Sequence, residues 1–187
     1  FFKSLESLST GTTEISKRQQ LLQDSTNLVN KFTTLKTQFR ELQLHASQQI
    51  TTKVDELNGI TNEIALLNKR ISTVELSSGN ANDIRDKMDG LITRLSKLAD
   101  IKVQNQENGA TNILLGGSLV VMGNGSEALS TSTTGPGTVR INGIANISSG
   151  ELKGLLNIQD VVIPKYMEKL DTLAASIIRE VNNIHSE

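Results

Sequence analysis

The chain of 187 residues has no cysteine and no tryptophan, only two prolines, and 3% aromatic residues. Without cysteine there can be no disulfide and no thiolate metal site, though neither side of a membrane is implied by that. A hydrophobic content of 36% with so few aromatics suits a thin seam between helices better than a thick core. The formal net charge is −1, with Lys and Arg scattered among Asp and Glu, so no basic face is offered to nucleic acid. No apolar run approaches the ~20 residues that cross a bilayer, which argues against membrane insertion.

Groupings that would carry chemistry are equally scarce. His45 and His185 are the only histidines, and neither has a second ligand one helical turn on. Asp83, Asp86 and Asp89 crowd the start of a helical pattern, where negative charge favours the N-terminal dipole, and their spacing is not that of a calcium loop. Gly116-Gly117 and Gly123-x-Gly125 lack the strand-loop-helix setting and the lysine of a phosphate cradle, so they read as turns. No serine stands in a nucleophile elbow. The residues give no acid-base or nucleophile constellation, and neither an enzyme nor a cofactor is expected.

What the chain does have is a ladder. Leu21, Leu28, Phe32, Leu35, Phe39, Leu42, Ala46, Ile50, Val54, Leu57, Ile60, Ile64, Leu67, Ile71 and Val74 are spaced mostly by three and four, with no proline among them. Such spacing keeps one stripe of a helix facing a partner. A single helix from about residue 14 to 76 is predicted; the ladder within it would span roughly 80 Å at 1.5 Å per residue. The successive steps of four at Leu42, Ala46, Ile50 and Val54 form a stutter that relaxes a left-handed supercoil. Thr51, Thr52 and Asn58-Gly59 lower helix propensity nearby; a continuous or gently bent helix is favoured over a hairpin there.

Around this helix the chain falls into shorter pieces. Phe1, Leu5 and Leu8 have helical spacing and precede a turn at 9–13, with a threonine available as N-cap. A turn at 77–80 leads to a helix at about 82–98, striped by Ile84, Met88, Leu91, Leu95 and Leu98. From residue 100 to 150 the period falls toward two, and nine of the fourteen glycines lie between Gly109 and Gly150. Strands are predicted at 101–104, 111–115 and 118–122, with turns at 107–109 and 116–117. A further hairpin is predicted from 139–141 and 144–147 around Asn142-Gly143, and 130–137 reads as a polar loop. Helix resumes after residue 150 with Ser149 as cap. Pro164 then either kinks one helix or starts a second, striped by Met167, Leu170, Ala174, Ile177, Val181 and Ile184.

The predicted class is mainly α with a small β insertion. It is an elongated antiparallel helical bundle or coiled coil built on one long helix, with short β-hairpins in the glycine-rich insertion. Residues 1–100 and 149–187 would form the helical domain, and 101–148 an inserted β-rich domain. The shorter helices laid end to end could cover one side of the rod. Its other side would need terminal segments or neighbouring subunits, and both chain ends read as cuts through amphipathic patterns. Leu28, Phe32, Leu35, Phe39, Leu42, Leu57, Ile64, Leu67, Leu91, Leu95, Leu170, Ile177 and Val181 are the expected structural seam.

Three stretches carry a family resemblance. The first is Phe2-x-x-Leu5-x-x-Leu8-Ser9 with Arg18-Gln19-x-Leu21-Leu22. The second is Val54-Asp55-Glu56-Leu57-Asn58-x-Ile60-x-x-Glu63-Ile64-Ala65-x-Leu67-Asn68-x-x-Ile71, then Asn82-Asp83-Ile84-x-Asp86-x-x-Asp89-x-Leu91. The third is Gly150-Glu151-Leu152-x-Gly154-Leu155-Leu156, then Ile163-Pro164-x-Tyr166-x-x-x-Leu170-Asp171-x-Leu173-Ala174 and Val181-Asn182-x-Ile184-His185. In these the chain resembles the flagellar hook-associated proteins of the FlgK family. The resemblance singles out Asp86, Asp89, Leu155, Pro164, Leu170, Asp171, Asn182 and His185. Met88 and Gln159 depart from the arginines usual there, so no ion pair can be carried over to Asp89 or Asp160.

The resemblance implies a non-enzymatic structural subunit at the junction of hook and filament. It would need no cofactor and would act outside the cell, exported without a cleaved signal peptide. Its partners would be copies of itself in a ring, the hook protein and the second junction protein. An export chaperone would bind through a C-terminal segment beyond this chain. Two alternatives remain: another axial protein, either flagellin or the second junction protein, and a helical-hairpin signalling adaptor. The β-rich insertion argues against the adaptor.

Overall fold

The structure, a computed structural model, describes residues 1–9, 14–76, 81–106, 109–144 and 146–186. The 10–13 part of the predicted turn at 9–13, the whole of that at 77–80, and the 107–108 part of a third lie outside the described residues. The order of elements is α1 (Phe2–Ser9), α2 (Ile15–Leu76), α3 (Asn82–Leu98), β1 (Ile101–Asn105), β2 (Thr111–Leu115), β3 (Ser118–Met122), β4 (Gly125–Ser126), β5 (Ser130–Gly135), β6 (Thr138–Asn142), α4 (Gly150–Asn157), a π-helical turn (Ile158–Val162) and α5 (Ile163–Ser186).

The long helix is unbroken through Asn58-Gly59. Its many Ser and Thr residues are accommodated because their hydroxyls bond back one turn, as Ser25 does to the Leu21 carbonyl, Thr33 to Val29 and Ser72 to Asn68. The chain divides into two compact units, one of Phe1–Leu42 with Ile163–Glu187, the other of Gln43–Val162. α2 thus contributes its first part to one unit and the rest to the other.

The second unit holds the contiguous hydrophobic core. Ile50, Leu57, Ile64 and Ile71 of α2 are fully buried with Leu95 of α3, Ile113 and Leu115 of β2, Val121 of β3 and Leu152 of α4. α3 runs antiparallel to this part of α2, since Arg94 reaches Glu56 while Arg85 pairs with Glu75 ten residues earlier. The insertion at 101–148 shares this core through Leu129 and Ile147 as well as its strands.

Two small antiparallel sheets sit in this unit, one ordered β1-β2-β3-β4 and one β5-β6. Gly116 and Gly117 close the β2–β3 hairpin with φ of 56° and 86°, the paired positive values of a two-residue turn. Only glycine fits at position 116, where an added Cβ would sit 1.8 Å from the Asn146 carbonyl oxygen. A bulge between Ile113 and Leu114 lets Val120 and Val121, neighbours in β3, both be buried.

Three expectations need correction. The hairpin around Asn142-Gly143 does not form: residues 144, 146 and 147 are not strand, and β6 instead turns back on β5. The supposed polar loop at 130–137 is that partner strand, because β-branched threonines suit a pleated ribbon without any apolar alternation. Its turn is Pro136-Gly137, with Gly137 at φ 75°, the residue pair a type II turn demands. Ser149 occupies the N-cap position of α4 but makes no side-chain cap bond. Instead, Asp100 Oδ1 accepts from the Ser148 and Ser149 amides at 2.7 and 3.3 Å. Pro164, expected either to kink one helix or to start a second, stands in the first turn of a second. It is the second residue of α5, directly after the π-helical turn, whose wider winding suits a residue with no N–H to donate.

Candidate assembly surface

In the first unit α2 and α5 run antiparallel. Lys36 Nζ lies 2.8 Å from Asp171 Oδ1, and Phe39 stacks on Tyr166 with ring centroids 6.2 Å apart. Between Leu28, Val29, Phe32 and Thr33 of α2 and Ala174, Ile177, Ile178 and Val181 of α5 lies an apolar groove of about 400 Å³. α1 packs beside the start of α2, where the Ser4 hydroxyl and the Gln20 amide bond Asp24. The Ser4 bond first, and the Gln20 bond after it, hold Asp24 below its ordinary carboxylate value.

Very little of this unit is covered. Among its described residues only Ser4 and Ile163 are buried. Leu28, Phe32, Phe39, Leu170, Ile177 and Val181 are half-buried, and Leu35 and Leu42 are exposed. Leu22, Val29, Tyr166, Leu173 and Ile178 are also more than half exposed. Large apolar side chains at this density, ordered along two helices, mark an interaction surface.

The seam residues of the other unit stand differently. Leu57, Ile64, Leu67, Leu91 and Leu95 are all buried. Here the most demanding contacts are polar, and reading the sequence missed them. Asn68, fully buried in α2, donates Nδ2 to the carbonyls of Thr111 and Gly123 at 2.8 and 2.7 Å and accepts the Thr111 amide at 2.8 Å. Asn58 clamps Leu129 in the same two-bond manner, both at 2.8 Å. Gln159 of the π-helical turn does so with Val139, both at 3.0 Å, and its Oε1 lies 2.7 Å from the Ser47 hydroxyl. Each side-chain amide stands in for a neighbouring strand, bonding an N–H and a C=O that would otherwise be orphaned. A mid-helix asparagine, costly to helix propensity, was the available signal.

Charged groups support the same docking. Lys53 bridges Glu151 at 2.9 Å and Glu56 at 3.1 Å. The Glu151 bond, then that of Glu56, raises Lys53 above its ordinary value; Lys53 in turn is the main cause holding Glu56 down. Burial pushes Asp100 up, but the Ser148 and Ser149 donors together outweigh it and leave the carboxyl lowered.

The residues picked out by family resemblance are scattered. Asp171 pairs with Lys36, Leu155 lines a groove beside α2, and Asn182 lines the α2–α5 groove. Asp86, Asp89 and Pro164 are exposed, and the side chain of His185 lies outside the described residues. Met88 is a core residue, and Gln159 donates to Asp160 as well as to Val139. Among the described residues no cluster of His, Cys, Asp and Glu could hold a metal ion, and no helix is long and apolar enough to cross a membrane.

Comparison with known proteins identifies the family. The family described as flagellar hook-associated protein FlgK, helical domain, matches residues 1–187. Flagellar hook-associated protein 1 of Escherichia coli K12 is 26% identical over 201 residues, covering 99% of this chain and 37% of that protein. The protein of the same name from Bacillus subtilis is 29% identical over 109 residues, covering 58% of this chain and 22% of its own length. The flagellar hook junction protein FlgK of Burkholderia pseudomallei has a solved structure similar at a TM-score of 0.75 and 28% identity, covering 84% of this chain and 31% of that one. The chain therefore spans little more than a third of the relatives it matches along its whole length.

Proposed function

The chain belongs to the FlgK family of flagellar hook-associated proteins, and from that premise we propose that it is the helical part of a structural subunit joining hook to filament. It works by being packed against, not by turning over a substrate. The family match over every residue, 1–187, carries this reading. The uncovered apolar flanks of the α2–α5 pair support it, since a subunit of an assembly must leave such surface for others. Its partners would be copies of itself, the hook protein and the second junction protein. A chaperone would act through a segment beyond this chain, and export would proceed without a cleaved signal peptide.

The seam residues Leu28, Phe32, Phe39, Leu170, Ile177 and Val181 serve this role by holding the helix pair together, while Leu35 and Leu42 stand at its edge. Deleting the gene that encodes this chain should leave cells with hooks that carry no filaments. Normal filaments and motility in that strain would contradict the reading.

A further inference from the structure

We propose that Asn142 is a self-modification site: its side-chain amide closes on the Gly143 nitrogen to a cyclic imide, which opens to aspartate and isoaspartate. The other described Asn-Gly pairs are shielded from this by the fold.

Four Asn-Gly pairs occur, at 58–59, 108–109, 124–125 and 142–143, and residue 108 lies outside the described residues. An asparagine before glycine is open to this chemistry because the glycine nitrogen carries no side chain to hinder its approach. The ring it closes has five members, so the two groups are held near one another by the chain itself. By sequence alone the pairs rank equal. The fold separates them.

Asn58 stands within α2, and Leu129 holds its carboxamide through two bonds of 2.8 Å. The Gly59 nitrogen lies inside the same helix, where it donates along the helical ladder. Both reacting groups are occupied. Asn124 is exposed in the two-residue turn between β3 and β4, but Gly125 is the ladder partner of Met122, and so tight a turn fixes the torsions between amide and nitrogen. Asn142 differs on each count. It is exposed and belongs to the last pair of the β5–β6 ribbon, Ser130↔Asn142, so the exposed Gly143 lies beyond the ladder. End pairs open most readily, and opening frees the backbone torsion that brings the nitrogen over Cγ.

Two hydroxyls stand at the Asn142 carboxamide. Ser132 Oγ donates to Oδ1 at 3.3 Å, and Nδ2 donates to Ser130 Oγ at 3.3 Å. These bonds are longer than those of Asn58, loose enough for the side chain to turn. Attack by the Gly143 nitrogen on Cγ drives negative charge onto Oδ1, where the Ser132 hydroxyl stabilises it. The attacking nitrogen gives its proton to water. The Cγ–Nδ2 bond then breaks, the Ser130 hydroxyl passing a proton from solvent to the departing nitrogen. Ammonia leaves and the imide remains. One water opens the ring at either carbonyl, which gives aspartate or, with one more carbon in the backbone, isoaspartate. Either product sets a new carboxylate on the ribbon, and isoaspartate also lengthens the path from β6 to the buried Ile147.

The test is peptide mapping by mass spectrometry of the 187-residue chain aged in warm neutral buffer, folded and in urea. The imide is read as a peptide lighter by one ammonia, the products as an amide turned to an acid, and isoaspartate by an isoaspartate-specific methyltransferase. In urea Asn58, Asn124 and Asn142 should convert at similar rates. In the folded chain Asn142 should convert first, Asn124 severalfold more slowly, and Asn58 not measurably. Ser132→Ala should slow Asn142 about fivefold, the worth of one neutral hydrogen bond in the transition state. Ser130→Ala should slow it less. Both serines are exposed, and circular dichroism checks the fold of each variant. Conversion of Asn124 as fast as Asn142 in the folded chain would overturn the proposal, as would a rate at Asn142 that neither serine variant changes.

Discussion

Between residues 43 and 76, α2 buries Ile50, Leu57, Ile64 and Ile71 completely; between 15 and 42 the same helix buries no residue, although its rungs are as regular. The difference is not in periodicity but in what lies against the helix. α3, α4 and the two sheets pack on the later part, and amide clamps lock the strands to it. The earlier part has α5 and the short α1, and their contact leaves both edges of the seam in water. Amphipathic spacing states that a helix has a side to hide; it does not state whether the same chain hides it.

Substitutions sharpen that contrast. The largest effect is expected for Asn68→Ala, which removes three hydrogen bonds and strands buried backbone groups of Thr111 and Gly123; destabilisation of about 4 kcal/mol in chemical denaturation follows. Leu57→Ala empties a fully buried position and should cost about 3 kcal/mol. Leu42→Ala, the same change at an exposed rung, should stay within about 0.5 kcal/mol. Equal losses at Leu57 and Leu42 would break the comparison.

A smaller effect is expected from pH. Asp100 and Glu56 are both lowered in the folded chain, from ordinary values of 3.8 and 4.5. Their contribution is therefore complete at neutral pH, above the unfolded values, and is lost as pH falls through the folded ones. Lys53 is raised from 10.5, so its contribution is complete below that value and is lost only as pH rises through the higher folded one. The unfolding temperature should fall on acidification toward pH 3, and Asp100→Asn should flatten that fall. An unchanged acid limb in the variant would assign the loss to other groups.

Much of the fold was legible because its signals are local. The period of three and four gave α2 and α3, alternation gave β2 and β3, and Gly116-Gly117 gave their turn. β5 was not legible: Ser130 to Thr134 are all hydroxyl residues, so no burial pattern marks them, and Asn142-Gly143 is a stronger two-residue hairpin signal than Pro136-Gly137. The clamps by Asn58, Asn68 and Gln159 depend on backbone groups 20 to 71 residues away, a separation no local pattern reports. One cue to the covered part was present. Its rungs are largely Ile, Val and Ala, stiff or small enough for close packing, whereas the uncovered part relies on Leu and Phe.

Hydrogen exchange resolved along α2 tests the central claim most directly. Protection should step up near residue 43, with the amides around Leu57 and Ile64 exchanging only on unfolding of the core and those around Leu22 and Val29 exchanging through local opening, orders of magnitude faster. Uniform protection from 15 to 76 in the isolated chain would contradict the account, since the earlier part would then be as well covered as the later one.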